Sequence, residues 1–274
     1  MFCSINYQIK PEEKASISIN ERGFLFGDGV FETCRIDNQK IYNFSAHLKR
    51  LEEGLKAIKI DFDLKDLEEN INKLNKKNNL KEGLVRIYVS RGHGSEGYYP
   101  KKNIKPLIII QNKILPKKIE KPVNLWVSKY NKPCPNSMPI NYKLAQGLNS
   151  TLAKLEAQEN DCFDSILLNN KGKICETSSS NIFWVKNDIL YTPDKNCGIL
   201  LGTTRQKIIE LSPIPVKKVK ANLEELLYSD EAFTSNVSRE TLLIGKILPN
   251  NKEFKNKKYF DIISKLLRND IKQL

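Results

Sequence analysis

Residues 143–184 read KLAQGLNSTLAKLEAQENDCFDSILLNNKGKICETSSSNIFW, and the rest of the chain is read outward from them. Lys143 stands just ahead of a helix whose expected apolar positions are Leu148, Leu152, Leu155 and Ala157, with Asn149 or Ser150 as cap. Asp164–Leu168 predicts a strand, residues 169–172 a turn, and Glu176 then opens a Ser/Thr-rich run leading into a strand at Asn181–Val185. A lysine and a carboxylate carried by neighbouring elements supply an amine for an aldehyde and an acid for a ring nitrogen. In a chain with 45 Lys+Arg the lysine alone decides nothing. Its context has to.

Towards the N-terminus, Ile17–Leu25 alternates loosely as a strand. Gly27-Asp28-Gly29 breaks it, and Val30–Ile36 resumes as another, followed by a short strand at Ile41-Tyr42. Ser45 is the expected N-cap of a helix with its apolar stripe at Leu48, Leu51, Leu55 and Ile58. Arg50 lies off that stripe, on the face of His47 and Gly54. A helical glycine costs roughly 1 kcal/mol against alanine, so Gly54 predicts a close neighbour. Leu64, Leu67, Ile71 and Leu74 predict a second helix. Leu84–Ser90 predicts a strand running into the glycine-rich loop 91–99, with Arg91 at its base, and Leu107–Gln111 predicts another strand.

Pro116 and Pro122 bracket a linker. The expected organisation is a smaller α/β lobe at 1–115, a linker at 116–123 and a larger α/β lobe at 124–274 that carries Lys143. In the second lobe Val123–Ser128 and Ile189–Tyr191 read as strands. Gly198–Arg205 enters a helix whose start, at Thr203 and Thr204, offers N–H groups and hydroxyls suited to a phosphate. Asn222–Leu227 reads as a short helix, Glu231–Val237 as a strand and Tyr259–Leu267 as the terminal helix.

The 274 residues are 40% hydrophobic, enough for a substantial core, and carry a formal net charge of +13. The lysines are dispersed, with no dense basic block and no nucleic-acid-binding motif. A solvated surface that attracts anionic small molecules is therefore expected, and no nucleic-acid partner. Six scattered cysteines without a CxxC pair, and only two histidines, give a zinc site little to build from, so no metal is expected. No stretch has the apolar length of a membrane span or signal core, which predicts a cytoplasmic location.

Several blocks then stand in a shared order: Glu21-Arg22-Gly23 with Phe26–Glu32; Ser45–Leu51; Ser90-Arg91-Gly92; Lys143; Leu155-Glu156-Ala157; Glu176–Phe183; Leu190–Pro193; and Gly202–Arg205. Together they resemble the class IV aminotransferase family, the enzymes of fold type IV that use pyridoxal 5'-phosphate, over nearly the whole chain. The resemblance implies an α/β (α+β) fold of two lobes, like that of D-amino-acid aminotransferase. The cofactor would lie in the cleft of a homodimer-forming enzyme.

Lys143 would carry the cofactor, and Arg50, Thr203 and Thr204 would hold its phosphate, with Asn236 and Val237 nearby. Glu176 would face the ring nitrogen and Leu200 would pack behind the ring. Within the family, the FGDGVFET block, the SRGxGxxGY loop and Ser235–Arg239 are most similar to the lyases that convert 4-amino-4-deoxychorismate to p-aminobenzoate and pyruvate in folate biosynthesis. Transamination between a branched-chain or other amino acid and 2-oxoglutarate is the alternative. The substrate would be met by Phe31, Arg91, Glu96, Tyr98 and Arg239, with Thr33 relaying protons beside Lys143. Glu96 and Leu148 depart from the pattern, which usually has Arg and Tyr there. Phe31, Glu96 and Tyr98 disfavour a D-amino-acid aminotransferase, because a glutamate repels a substrate carboxylate.

Overall fold

In the computed structural model, which describes residues 1–273, the chain divides into two units. The first comprises residues 1–115 together with 142–147, and the second residues 116–141 and 148–273.

The first unit runs β1 (Phe2–Ile5), β2 (Gln8–Pro11), α1 (Arg22–Phe26), β3 (Gly29–Asp37), β4 (Lys40–Ile41), α2 (Phe44–Ala57), α3 (Leu67–Lys77), β5 (Gly83–Ser90), β6 (Ser95–Glu96), β7 (Tyr99–Pro100) and β8 (Leu107–Lys113). Six of these strands form one sheet in the order β2-β1-β8-β5-β3-β4, with every pairing antiparallel. Side chains alternate across a strand. Val30, Cys34 and Ile36 of β3 and Val85, Ile87 and Val89 of β5 therefore share one face, which packs with Leu51, Leu55, Leu67, Ile71 and Leu74 of α2 and α3. The opposite face shows Phe31 and Thr33 of β3 across from Tyr88 and Arg86 of β5.

Two local expectations fail here. Residues 22–26 are helical rather than extended, because the Glu21 side chain accepts from the Phe24 N–H and nucleates a turn. Helix α2 starts one residue before Ser45, after Asn43 in the left-handed region (φ 50°), and no side chain caps it. The strands β1 and β2 were not foreseen.

Residues 142–147 leave the C-terminal lobe in which they were expected. The Phe31 N–H donates to Lys143 O and the Ala145 N–H to Gly29 O, each at 2.9 Å. The open edge of β3 thus claims this segment by backbone pairing, and Lys143 belongs to the first unit.

The second unit contains β9 (Val123–Val127), α4 (Leu148–Glu159), β10 (Asp164–Leu168), β11 (Ile174–Thr177), β12 (Asn181–Lys186), β13 (Ile189–Pro193), α5 (Thr203–Leu211), β14 (Val216–Val219), α6 (Leu223–Leu227), β15 (Glu231–Asn236), β16 (Glu240–Leu248), β17 (Lys252–Glu253) and α7 (Lys258–Lys272). Its sheet follows the order β11-β10-β9-β16-β15-β12-β13-β14, with β17 on β16. Pairings of β9 with β10 and β16, and of β13 with β14, are parallel; the others are antiparallel. Leu125, Ile166, Ile182, Trp184, Ile244 and Ile247 form its core.

Helix α4 turns a different face inward from the one its leucines suggested. Leu148 and Leu155 are 71% and 49% exposed, while Ala153, Glu156 and Ala157 are buried. Small alanines let the helix approach the sheet closely. The Glu156 carboxylate is satisfied there by the Ser128 hydroxyl at 2.5 Å and the Lys129 N–H at 3.2 Å.

Candidate active site

Strand alternation separates two kinds of chemistry on β3. Phe31 and Thr33 point to the open face, and the Lys143 amine lies 4.4 Å from the Phe31 ring centroid. The Arg86 guanidinium lies 4.8 Å from the same ring and forms no ion pair among the described residues. Arg86 escaped the sequence reading. Its signal was the period-two spacing in β5, which puts it on the face of Tyr88 and opposite Thr33.

Glu32 points the other way and is 1% exposed. It accepts from Arg50 Nε at 2.7 Å and Arg50 Nη2 at 2.8 Å, and lies 2.8 Å from His47 Nδ1. Burial pushes its carboxyl up, but the charge of Arg50 and the hydrogen bonds from His47 and Arg50 outweigh that and hold it down to about 2. Arg50 is thus oriented by two bonds to one carboxylate, on an inward face of α2. Cys34 joins Glu32 and His47 in a group whose ligand atoms lie within 4.8 Å of one another. A cation there would have to displace the guanidinium from both Glu32 oxygens. Burial also raises the Cys34 thiol well above its usual range, so it stays protonated. The group is built as an ion-pair cluster.

In the second unit Glu176 lies on β11 and is 5% exposed. Its Oε2 accepts from the Leu200 N–H at 2.9 Å and Asn181 Nδ2 at 3.1 Å, and its Oε1 pairs with the Lys132 amine at 2.6 Å. Lys132 was not foreseen; nothing in its surrounding proline-rich run distinguishes it from other lysines. The serine run after Glu176 is gathered by buried Asp164, which accepts from Thr177 Oγ1 and Ser179 Oγ at 2.9 Å each and from the Ser178 hydroxyl. Asn236 Nδ2 donates to Ser180 Oγ at 2.9 Å, and its Oδ1 accepts from the Ser238 and Arg239 N–H groups, shaping the turn that contains Val237.

Gly202 precedes α5, and no side chain caps that helix. A Cβ on Gly202 would overlap Asn181 Oδ1, so only glycine allows this approach. The first turn, with buried Thr203 and Thr204, presents N–H groups and hydroxyls at the positive end of the helix dipole. Leu200 contributes its backbone at this point: its N–H to Glu176, its carbonyl to Asn181.

Of the residues expected at the substrate, Phe31, Arg91, Glu96 and Tyr98 belong to the first unit and Arg239 to the second. Arg91 is held by Asp28 at 2.8 Å and by the carbonyls of Ile58 and Lys59 at 2.7 and 2.8 Å. Arg22, also on Asp28, donates to the Tyr98 carbonyl. These groups, with Phe26, Lys59, Pro100 and Gln146, line an open cavity of about 420 Å³. Glu96 and Tyr98 are exposed on the β6–β7 hairpin, and the Tyr98 ring lies 5.2 Å from that of Phe26. Arg239 donates to the Lys117 carbonyl at 2.9 Å and lies over Phe163. Arg91 and Arg239 each make hydrogen bonds within their own unit.

Residues 29–247 match the family model described as Amino-transferase class IV. A protein of Bacillus subtilis named aminodeoxychorismate lyase is 32% identical over 251 residues, covering 89% of this chain and 85% of its own. A protein of Methanocaldococcus jannaschii, provisionally named a branched-chain-amino-acid aminotransferase, is 31% identical over 273 residues, covering 96% and 92%. Among solved structures, the branched-chain aminotransferase of Thermoproteus uzoniensis superposes with a TM-score of 0.92 at 24% identity, covering 98% of this chain and 94% of that one.

Proposed function

The chain belongs to the class IV aminotransferase family, and from that premise we propose that it is a pyridoxal-phosphate-dependent lyase converting 4-amino-4-deoxychorismate to p-aminobenzoate and pyruvate. The observation that carries this reading is Arg86, a guanidinium on the Lys143 face of β3 and β5 without an ion-pair partner among the described residues. An anionic substrate needs such a group, and Arg86 would supply one. Exposed Glu96 on its hairpin then imposes less repulsion than its place in the motif suggested. The 32% identity to the Bacillus subtilis lyase favours this reaction within the family.

The donor sets fit the cofactor. Lys143 offers the amine, Glu176 the acceptor for a ring N–H, and the glycine-started α5 with Thr203, Thr204 and Arg50 the phosphate donors. When bound, pyridoxal phosphate supplies an aldehyde for amine exchange and a ring that takes up negative charge. Lys143 would remove the proton from the substrate ring carbon that becomes aromatic. Thr33, on the same strand face, passes a proton towards the departing enolpyruvyl group. Glu176 would accept the ring N–H, and Phe31 would exclude water beside the lysine.

The subunit is read as half of a homodimer; exposed Ile19, Phe24, Leu25 and Tyr99 of the first unit give it apolar surface to bury. Cytoplasmic location follows from the same reading. No helix among the described residues is long and apolar enough to cross a membrane. Transamination of a branched-chain amino acid is the second reading, favoured by the 31% identity over 96% of the chain. Purified enzyme given aminodeoxychorismate, and separately branched-chain and D-amino acids with 2-oxoglutarate, separates them. Pyruvate release without amino transfer is expected; faster amino transfer overturns the lyase.

A further inference from the structure

Glu176 is surrounded by more donors than an acid serving one ring nitrogen requires. A carboxylate has about four acceptor positions. The Leu200 N–H and Asn181 Nδ2 take two on Oε2, and the Lys132 amine takes one on Oε1. One position is left, on the oxygen already shared with an ammonium. Lys132 is itself fixed: its N–H donates to Leu168 O at 2.8 Å, at the end of the strand whose Leu167 pairs with Glu176. The amine and the carboxylate are both largely buried, so this is not a solvated surface pair.

We propose that Lys132 is a positioning residue for the ring-nitrogen end of the cofactor site, holding the Glu176 carboxylate turned so that the ring N–H docks on Oε1 beside the lysine amine. The proposal rests on the cofactor reading above. Its consequence is electrostatic. Two cationic donors meet at one oxygen, so the ring nitrogen gives up its proton more readily than it would facing Glu176 alone. The other groups that feel Glu176 are the Cys175 thiol, which burial keeps protonated, and Arg205 on α5, whose guanidinium is turned to Thr192 Oγ1 and the Pro193 carbonyl. Arg205 is influenced in turn by Asp194. Lys132 is the cation in direct contact with Glu176.

The test uses holoenzyme loaded with pyridoxal phosphate carrying ¹⁵N in the ring, and follows the ring-nitrogen resonance with pH. Lys132→Met and Lys132→Gln are expected to raise the titration midpoint by about one pH unit or more, and Lys132→Arg to leave it near wild type. A purely structural role would lower stability in both neutral variants without moving the midpoint. Glu176→Gln is the control. A midpoint that responds to Glu176→Gln but to neither neutral Lys132 variant overturns the role of Lys132 alone. One indifferent to Glu176→Gln as well overturns the placement of the ring at Glu176.

Discussion

Glu32 shows how far one buried charge shapes this protein. Its carboxylate fixes Arg50 through two oxygens, and both residues sit in the interior of the first unit. Glu32→Gln keeps the shape but leaves the Arg50 charge uncompensated, so a loss of about 3–5 kcal/mol is expected in urea unfolding. The pH dependence has a definite sign. Because the folded-state pKa is lowered from 4.5 to about 2, the stabilisation is fully present above pH 4.5 and disappears as pH falls towards 2. That interval corresponds to about 3 kcal/mol, so the gap between wild type and variant should narrow in acid. At Lys143 the expectation is spectroscopic: Lys143→Ala should lose the yellow absorbance of lysine-bound cofactor while keeping the fold by circular dichroism. Wild-type colour in that variant would remove Lys143 from the site. Of these residues, Lys143, Arg50 and Glu176 were conspicuous in sequence because motif blocks flanked them. Arg86 and Lys132 were not, since their meaning depends on which neighbours a strand face or a loop brings beside them.

Elements were legible where one apolar stripe accounted for burial. In α3 the positions Leu67, Ile71 and Leu74 are all buried, as periodicity demands. Periodicity misled in part in α4, where Ala157 goes inward as expected but beside Ala153 and Glu156, while Leu148 and Leu155 stay exposed. Helix α2 buries a second face with His47, Arg50 and Gly54, and the close neighbour expected at Gly54 is Val30, with the Tyr142 side chain behind it. That contact is how α2 supports the segment carrying Lys143. The start of α5 depends on backbone space in the same way. Gly202→Ala would push Asn181 from Glu176 and the Leu200 carbonyl, a strain of about 1–3 kcal/mol. Pyridoxal phosphate titrated into the apo form, followed by fluorescence, should bind about tenfold or more weakly. Unchanged affinity would show that Asn181 does not organise this end of the site.

At the scale of the molecule, the two units each have their own sheet and core, and each carries part of the candidate chemistry. Lys143, Phe31, Arg86 and Arg50 belong to the first, and Glu176, Lys132, Thr203 and Thr204 to the second. The exposed apolar side chains of α1 and the β6–β7 hairpin favour self-association. Light scattering after gel filtration should therefore read about 63 kDa, twice the 31.5 kDa chain. A mass near 31.5 kDa at micromolar concentration would refute the dimer.

What the sequence by itself determined was family and a mixed α/β class. Local spacing and turn chemistry suffice for those, because each motif is short and carries its own geometry. Only the tertiary structure decided that Lys143 pairs along the edge of β3 in the first unit. It alone placed Arg50 against Glu32, and put Lys132 on Glu176. These are contacts between residues apart in the chain, by 44 positions in the last case (176 − 132). Burial and sheet register, rather than sequence distance, fix which of many lysines and arginines meets which acid.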